Sequence, residues 1–168
     1  MVKQLLFLIL ISSGTSLQAS TKFSSLYLDT TTDCSCIEKN LQEGQDCTQF
    51  TCKEMLGFQV QTSFDGSACD LGKLKILKDS KELISLNEVP KKIEWRLADN
   101  EPIAVIYRLK GLSKSCTDLS GSSKNNEMLM VSGLGKYSAI SGQVEAKLKN
   151  ANEKARQIVD KGISLKAK

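Results

Sequence analysis

The sequence has no histidine, two prolines and only 5% aromatic residues. Without histidine, the commonest general base and metal ligand are gone, and with them every Ser-His or Cys-His nucleophile pair. A carboxylate pair, Asp99 with Glu101, falls in Asp99-Asn100-Glu101-Pro102 and reads as part of a tight turn, not as the wall of a glycosidase cleft. No C-x-x-C occurs, which argues against a thioredoxin-like oxidoreductase. There is no Asn-x-Ser/Thr sequon, which favours a bacterial over a glycosylated eukaryotic exported protein. Past the first twenty residues no apolar run approaches the roughly 20 residues that span a bilayer, so no transmembrane segment is expected. Gly133-Leu134-Gly135-Lys136 lacks the glycine spacing and the following Ser/Thr of a phosphate loop and reads as a turn.

The amino-terminal residues are informative. Lys3, the apolar run from Leu5 to Ile11 and the small-residue stretch ending at Ala19 form the pattern of a secretory signal peptide. Cleavage near Ala19 places the mature chain in the periplasm or outside the cell, and the absence of a cysteine at that point argues against a lipid anchor. Residues 20–168 suffice for one domain with its own core.

All six cysteines, Cys34, Cys36, Cys47, Cys52, Cys69 and Cys116, lie in the exported part, and an even count there predicts disulfides. Four crowd into a segment poor in large apolar groups, where covalent staples substitute for a core. Zinc is the competing reading, but C-x-C and C-x4-C are not the usual knuckle spacing. The pairing expected is Cys69 with Cys116, the other four pairing among themselves. No metal or cofactor is implied.

Residues 58–64 alternate apolar and polar, the period of a half-buried strand. Leu74 and Ile76, a turn at Asp79-Ser80-Lys81 and a return over Leu83 to Leu86 make a hairpin. A second hairpin runs from Ile93, Trp95 and Leu97 through the turn at 99–102 into Ile103, Val105, Tyr107 and Leu109. Pairing 97 with 103 sets Trp95 against Val105 and Ile93 against Tyr107 on a core face. On the outer face it sets Lys92 against Arg108, with Glu94 and Arg96 between, a cross-strand ion network or a binding surface. There Arg96 and Arg108 would present guanidinium forks to an anionic ligand. Met128 to Val131 adds a strand, whereas 112–126 is dense in turn formers and reads as a loop pinned by Cys116.

Val144, Leu148, Ala151, Ala155, Ile158 and Val159 recur at three- and four-residue steps and predict an amphipathic helix from about Gly142 to Lys161, with Ser141 as N-cap and Gly162 as its stop. Charge from residue 136 onward is +5, against −2 over residues 20–135, so the basic excess belongs to the C-terminus. A solvated helix face accounts for it. Attachment to an anionic lipid or envelope polymer is the sharper reading, and with no aromatic residue within the helix to stack on bases, nucleic acid is not expected as a partner.

The set Glu94-Trp95-Arg96-Leu97, Pro102 to Arg108, Val131-Ser132-Gly133-Leu134-Gly135, and Ala151-Asn152 with Ala155-Arg156 and Asp160 resembles an uncharacterised family of small secreted or periplasmic bacterial proteins. The likeness covers about residues 87–161, with Cys52 and Gly57-Phe58-x-Val60 as a fainter match upstream. It implies an exported location and no agreed activity. The chain departs from the pattern at Ser138, where relatives tend to carry cysteine, and in the Cys34 to Cys47 region, which looks like an addition.

The expected architecture is α+β: an antiparallel β-meander or small barrel-like sheet, a C-terminal amphipathic helix packed on it, and a disulfide-rich N-terminal segment. Residues 1–19 are the signal peptide, 20–56 the cysteine-rich segment and 57–168 the meander with its helix. The function expected is that of a monomeric, non-enzymatic binding or inhibitor-like protein of the cell envelope, its partner an envelope protein or anionic envelope polymer. The alternatives are a carboxylate- or Ser/Lys-based hydrolase and a structural envelope protein docked through its basic helix.

Overall fold

A computed structural model of the chain describes residues 20–39, 47–63, 72–86, 89–109 and 127–166. Among these described residues ten strands run in chain order: β1 Phe23–Asp29, β2 Cys34–Lys39, β3 Cys47–Cys52, β4 Gln59–Ser63, β5 Lys73–Lys78, β6 Lys81–Leu86, β7 Lys92–Ala98, β8 Glu101–Leu109, β9 Met128–Gly133 and β10 Ser141–Glu145. One helix, α1 Ala151–Lys166, follows. Every pairing is antiparallel, as the alternating segments predict, but the strands are divided between two five-stranded sheets. The first has the order β1-β7-β8-β9-β10 and the second the order β2-β3-β4-β5-β6.

The burial patterns show how these elements stack. On β5 alternate residues are buried, so the second sheet has one wet face. On β7 and β8 five consecutive positions, Ile103 to Tyr107, and nearly all of Ile93 to Ala98 are inaccessible. A strand buried on both faces must be covered on both faces. Leu28, Ile93, Trp95, Val105 and Tyr107 meet Phe58, Val60, Leu74 and Ile76 of the second sheet in one core. Ile103, Ala104, Ile106, Val131 and Val144 meet Ala151, Ala155 and Val159 of α1 in the other. Trp95 fills the centre of the first core with its ring centroid 5.2 Å from that of Phe58, and its Nε1–H has no acceptor among the described residues.

Both hairpin turns are two-residue turns with positive φ at both positions, Asp79 and Ser80 in one, Asp99 and Asn100 in the other, the backbone twist that suits a tight hairpin. Trp95 pairs with Val105 and Ile93 with Tyr107 as expected, but a bulge between Arg96 and Leu97 sets Leu97 opposite Pro102, not residue 103. The bulge turns Ile103 and Ala104 together into the core under α1.

Three expectations at the C-terminus are corrected. Ser141–Glu145 is not the first turn of a helix but strand β10, paired with β9, and the helix begins at Ala151. Val144 satisfies both a helical and a strand period, and the exposed Ser141, Gln143 and Glu145 around it follow the strand period. Gly142 is where α1 comes close: a Cβ there would stand 3.0 Å from Ile158 Cδ1. Gly162 does not stop the helix, which runs on to Lys166; a Cβ there would stand 2.9 Å from Ile140 Cγ1, so its smallness admits a neighbour. Leu148 lies in the turn before α1 and is 39% exposed, so it is not part of the docked stripe.

Within residues 20–56, β1 joins the first sheet, while β2 and β3 pair in the second and are stapled by Cys34–Cys52 and Cys36–Cys47, so the four clustered cysteines do pair among themselves. The proposed Cys69–Cys116 bridge and the signal peptide lie outside the described residues. The crossover from β1 to β2 is held by Asp33, whose carboxylate accepts from Lys53 Nζ and from the Asp29 amide, each at 2.8 Å. These bonds, the Lys53 one foremost, hold its pKa below the ordinary 3.8. Among the described residues no helix is long and apolar enough to cross a membrane.

Candidate functional site

Strand β1, which the sequence did not announce, pairs Ser25 with Arg96 and Tyr27 with Glu94. The even-numbered residues of β7 therefore share a face with Ser25 and Tyr27, and that face is turned toward α1. The helix lies across β8, β9 and β10, presenting Ala151, Ala155 and Val159 where it touches the sheet. One residue further on at each step, Asn152, Arg156 and Asp160 form a second row along the same helix. Small side chains bring the backbone close, and the longer row reaches over to β7 and β1.

The result is a continuous polar chain. Arg96 donates from Nε to Asp160 Oδ1 at 2.9 Å, closes the fork from Nη2 to Oδ2, and donates from Nη1 to Ser25 Oγ at 3.1 Å. Ser25 Oγ in turn donates to Glu94 Oε1 at 2.6 Å. Glu94 also receives Arg156 Nε at 2.6 Å and Nη2 at 3.2 Å, and that same Nη2 donates to the Tyr27 hydroxyl at 2.7 Å. The Glu94 side chain is 8% exposed and its charge is met by three donors, as burial demands. Hydrogen bonding to Glu94 raises the pKa of Arg156 above its already high value, so the guanidinium stays charged.

Of the four residues expected on an outer face, Glu94 and Arg96 are thus beneath the helix flank, and their ion pairs run to the helix instead of across the hairpin. Every nitrogen of Arg96 has an acceptor, and its guanidinium carbon stands 5.4 Å from the centre of the Phe23 ring. Its fork is not offered outward. Lys92 and Arg108 remain at the surface. Arg108 donates from Nη1 to Glu127 Oε2 at 2.6 Å, and both side chains of that pair are well exposed.

Lys92 and Arg108 stand at the rim of a cleft of about 220 Å³ where β1, β7, β8 and the start of α1 converge. Asn152, Arg156 and the Tyr27 hydroxyl form the rest of its polar wall, the exposed Tyr27 ring supplies apolar surface, and the nearly buried Ile106 and Leu129 lie at its floor. Glu94, Tyr107, Arg108, Asn152 and Arg156, far apart in the chain, line it together. Sequence reasoning missed Tyr27 and Ser25, because β1 was not read as a strand. It gave no role to Asn152, Arg156 or Asp160, although their four-residue spacing carried that signal.

The acidic pair in the β7–β8 turn is engaged structurally. Asp99 Oδ1 accepts the Lys22 amide at 2.9 Å, and Glu101 pairs with Lys136 at 2.9 Å. Gly133 to Lys136 forms the end of β9 and a single 3-10 turn. A Cβ on Gly133 would lie 1.9 Å from the Tyr137 carbonyl oxygen, so close backbone packing explains that glycine. No family model, no curated protein and no solved structure matches the chain.

Proposed function

We propose that the protein is exported to the periplasm or the cell exterior and acts there as a non-enzymatic binding protein of the cell envelope, through the cleft between α1 and the first sheet. The observation that carries this reading is the convergence of Tyr27, Lys92, Arg108, Asn152 and Arg156, from four separate elements, on one concave site. Export is supported by the signal-like leader, by the resemblance to secreted bacterial proteins, and by two intramolecular disulfides of the kind an oxidising compartment maintains. A binding role in preference to hydrolysis is supported by the engagement of Asp99 and Glu101 in turn contacts and by the lack of histidine.

Two measurements test the reading. N-terminal sequencing of the exported protein should begin at Ser20, and an intact leader on protein held in the cytoplasm would reject export. Immobilised wild type should retain an envelope component that Lys92→Gln/Arg108→Gln does not, with the melting curve of the variant unchanged because both side chains are exposed. Retention that is indifferent to both charges would remove the cleft from the binding event.

A further inference from the structure

The geometry points to a small amphipathic anion, an acidic oxygen group on a short apolar body, as the ligand of the cleft. This rests on the reading of the cleft as the binding site and names its chemistry.

The charged side chains that line the cleft are Lys92, Arg108 and Arg156 against Glu94. Glu94 is spent, with Ser25 and Arg156 on its two oxygens. The donors are not. Among the described residues, Arg156 uses Nε and Nη2 and keeps Nη1, while Arg108 uses Nη1, on Glu127, and keeps its Nε–Nη2 edge. Lys92 and Asn152 make no side-chain hydrogen bond or ion pair among the described residues, and both are exposed. The Tyr27 hydroxyl accepts from Arg156, which leaves its own O–H to give. A site with several unmet donors, a net positive wall and no unspent carboxylate complements an anion and repels a cation. The two-nitrogen edge of an arginine fits the oxygens of a carboxylate or phosphate.

Size and polarity restrict the rest of the ligand. At roughly 30 Å³ for each water-sized group, about 220 Å³ accommodates on the order of seven heavy atoms, and the open side of the cleft lets a longer ligand extend past its mouth. Ile106 and Leu129, nearly buried, form the floor of the cleft and the half-exposed Tyr27 ring one side; none of these carbon atoms offers a partner for a polar tail, so the remainder of the ligand is apolar. A bare inorganic anion would leave this surface wet, and a large polymer would have to present a single acidic end group to it.

Hexanoate and hexyl phosphate are suitable probes, with acetate, hexanol and hexylamine as comparisons, followed by amide chemical shifts of the intact oxidised protein. Hexanoate or hexyl phosphate should shift Tyr27, Asn152 and Arg156 saturably, and hexylamine should not. Acetate should bind at least about tenfold more weakly, because it lacks the methylenes that cover the apolar wall. Lys92→Gln/Arg108→Gln should weaken hexanoate by about tenfold or more, the scale of lost charge-assisted hydrogen bonds. Equal binding of hexylamine, or no preference for hexanoate over acetate, overturns the inference on the wild type alone. A preference of hexyl phosphate over hexanoate, or the reverse, identifies the acidic group. Hexanoate binding without a retained envelope component would leave this inference standing and remove the proposed function. A retained component that no probe displaces would do the opposite.

Discussion

Glu94 is the residue whose burial most constrains its neighbours. Its carboxylate lies under α1 against Arg156 and Ser25. Arg156→Leu should therefore destabilise the protein by about 1 to 3 kcal/mol, the cost of a buried acceptor deprived of its donor. Glu94→Leu/Arg156→Leu removes both charges together and should recover much of that loss. Urea titration of the two variants and the wild type measures both steps, and equal destabilisation of single and double variants would show that the pair contributes net stability. The order of charges also fixes alignment. Glu94 and Arg96 on β7 face Arg156 and Asp160 on α1, so a helix displaced by one turn would set Arg156 upon Arg96. At this scale the sequence showed the right residue types and the wrong exposure. Glu94 and Arg96 alternate with Ile93, Trp95 and Leu97, and alternation alone cannot say whether the polar face meets water or an oppositely charged helix.

Among elements, α1 and β8 carry the main lesson about legibility. The run Ile103 to Tyr107 is apolar at every position, the mark of a strand covered on both sides, and α1 is the cover. Read as simple alternation, the same run gives the correct pairing at Val105 and Tyr107, misses the bulge at Ile103, and sets Ala104 and Ile106 on a solvent face that does not exist there. The start of the helix was misplaced because Val144 fits two periods, and only its pairing with Leu129 in β9 decides between them. β1 escaped notice since Phe23, Leu26 and Leu28 follow no uniform period, and only Leu28 is buried. The cysteine hairpin was legible as a stapled unit, but its strands were not, because their composition is polar and the disulfides supply the restraint. The corrected stripe makes a paired prediction. Val159→Ala should cost about 2 kcal/mol through lost burial under the sheet, whereas Leu148→Ala, in the exposed turn, should stay within about 0.5 kcal/mol. Thermal or urea unfolding of both variants checks the boundary, and a larger loss for Leu148 would restore the longer helix.

At the scale of the molecule, β1 and β7 are neighbours in the first sheet although the entire second sheet lies between them in the chain. Thr30 Oγ1 donates to the Pro90 carbonyl at 2.8 Å, a contact across 60 positions, while β7 and β8 are joined by a two-residue turn. Loop closure of that length is entropically costly before its contacts form, so β1 should dock after the β7–β8 hairpin. Leu28→Ala should then act almost wholly by accelerating unfolding, with a φ-value of about 0 to 0.3, and Val105→Ala should slow folding as well. Stopped-flow chevrons of the two variants test the order, which a high φ-value at Leu28 would reverse. The same topology bears on tolerance to sequence change. Residues 30–91 leave the first sheet beside Asp29 and re-enter it at Lys92, the residue paired with Asp29. An excursion that ends where it began can lengthen, shorten or exchange its outer loops without moving the two strands that flank its mouth. Variation in the outer loops of that half is thereby uncoupled from the alignment of Tyr27, Lys92 and Glu94, and a lineage could remodel those loops while Phe58, Val60, Leu74 and Ile76 keep the shared core and the first sheet keeps its cleft in register.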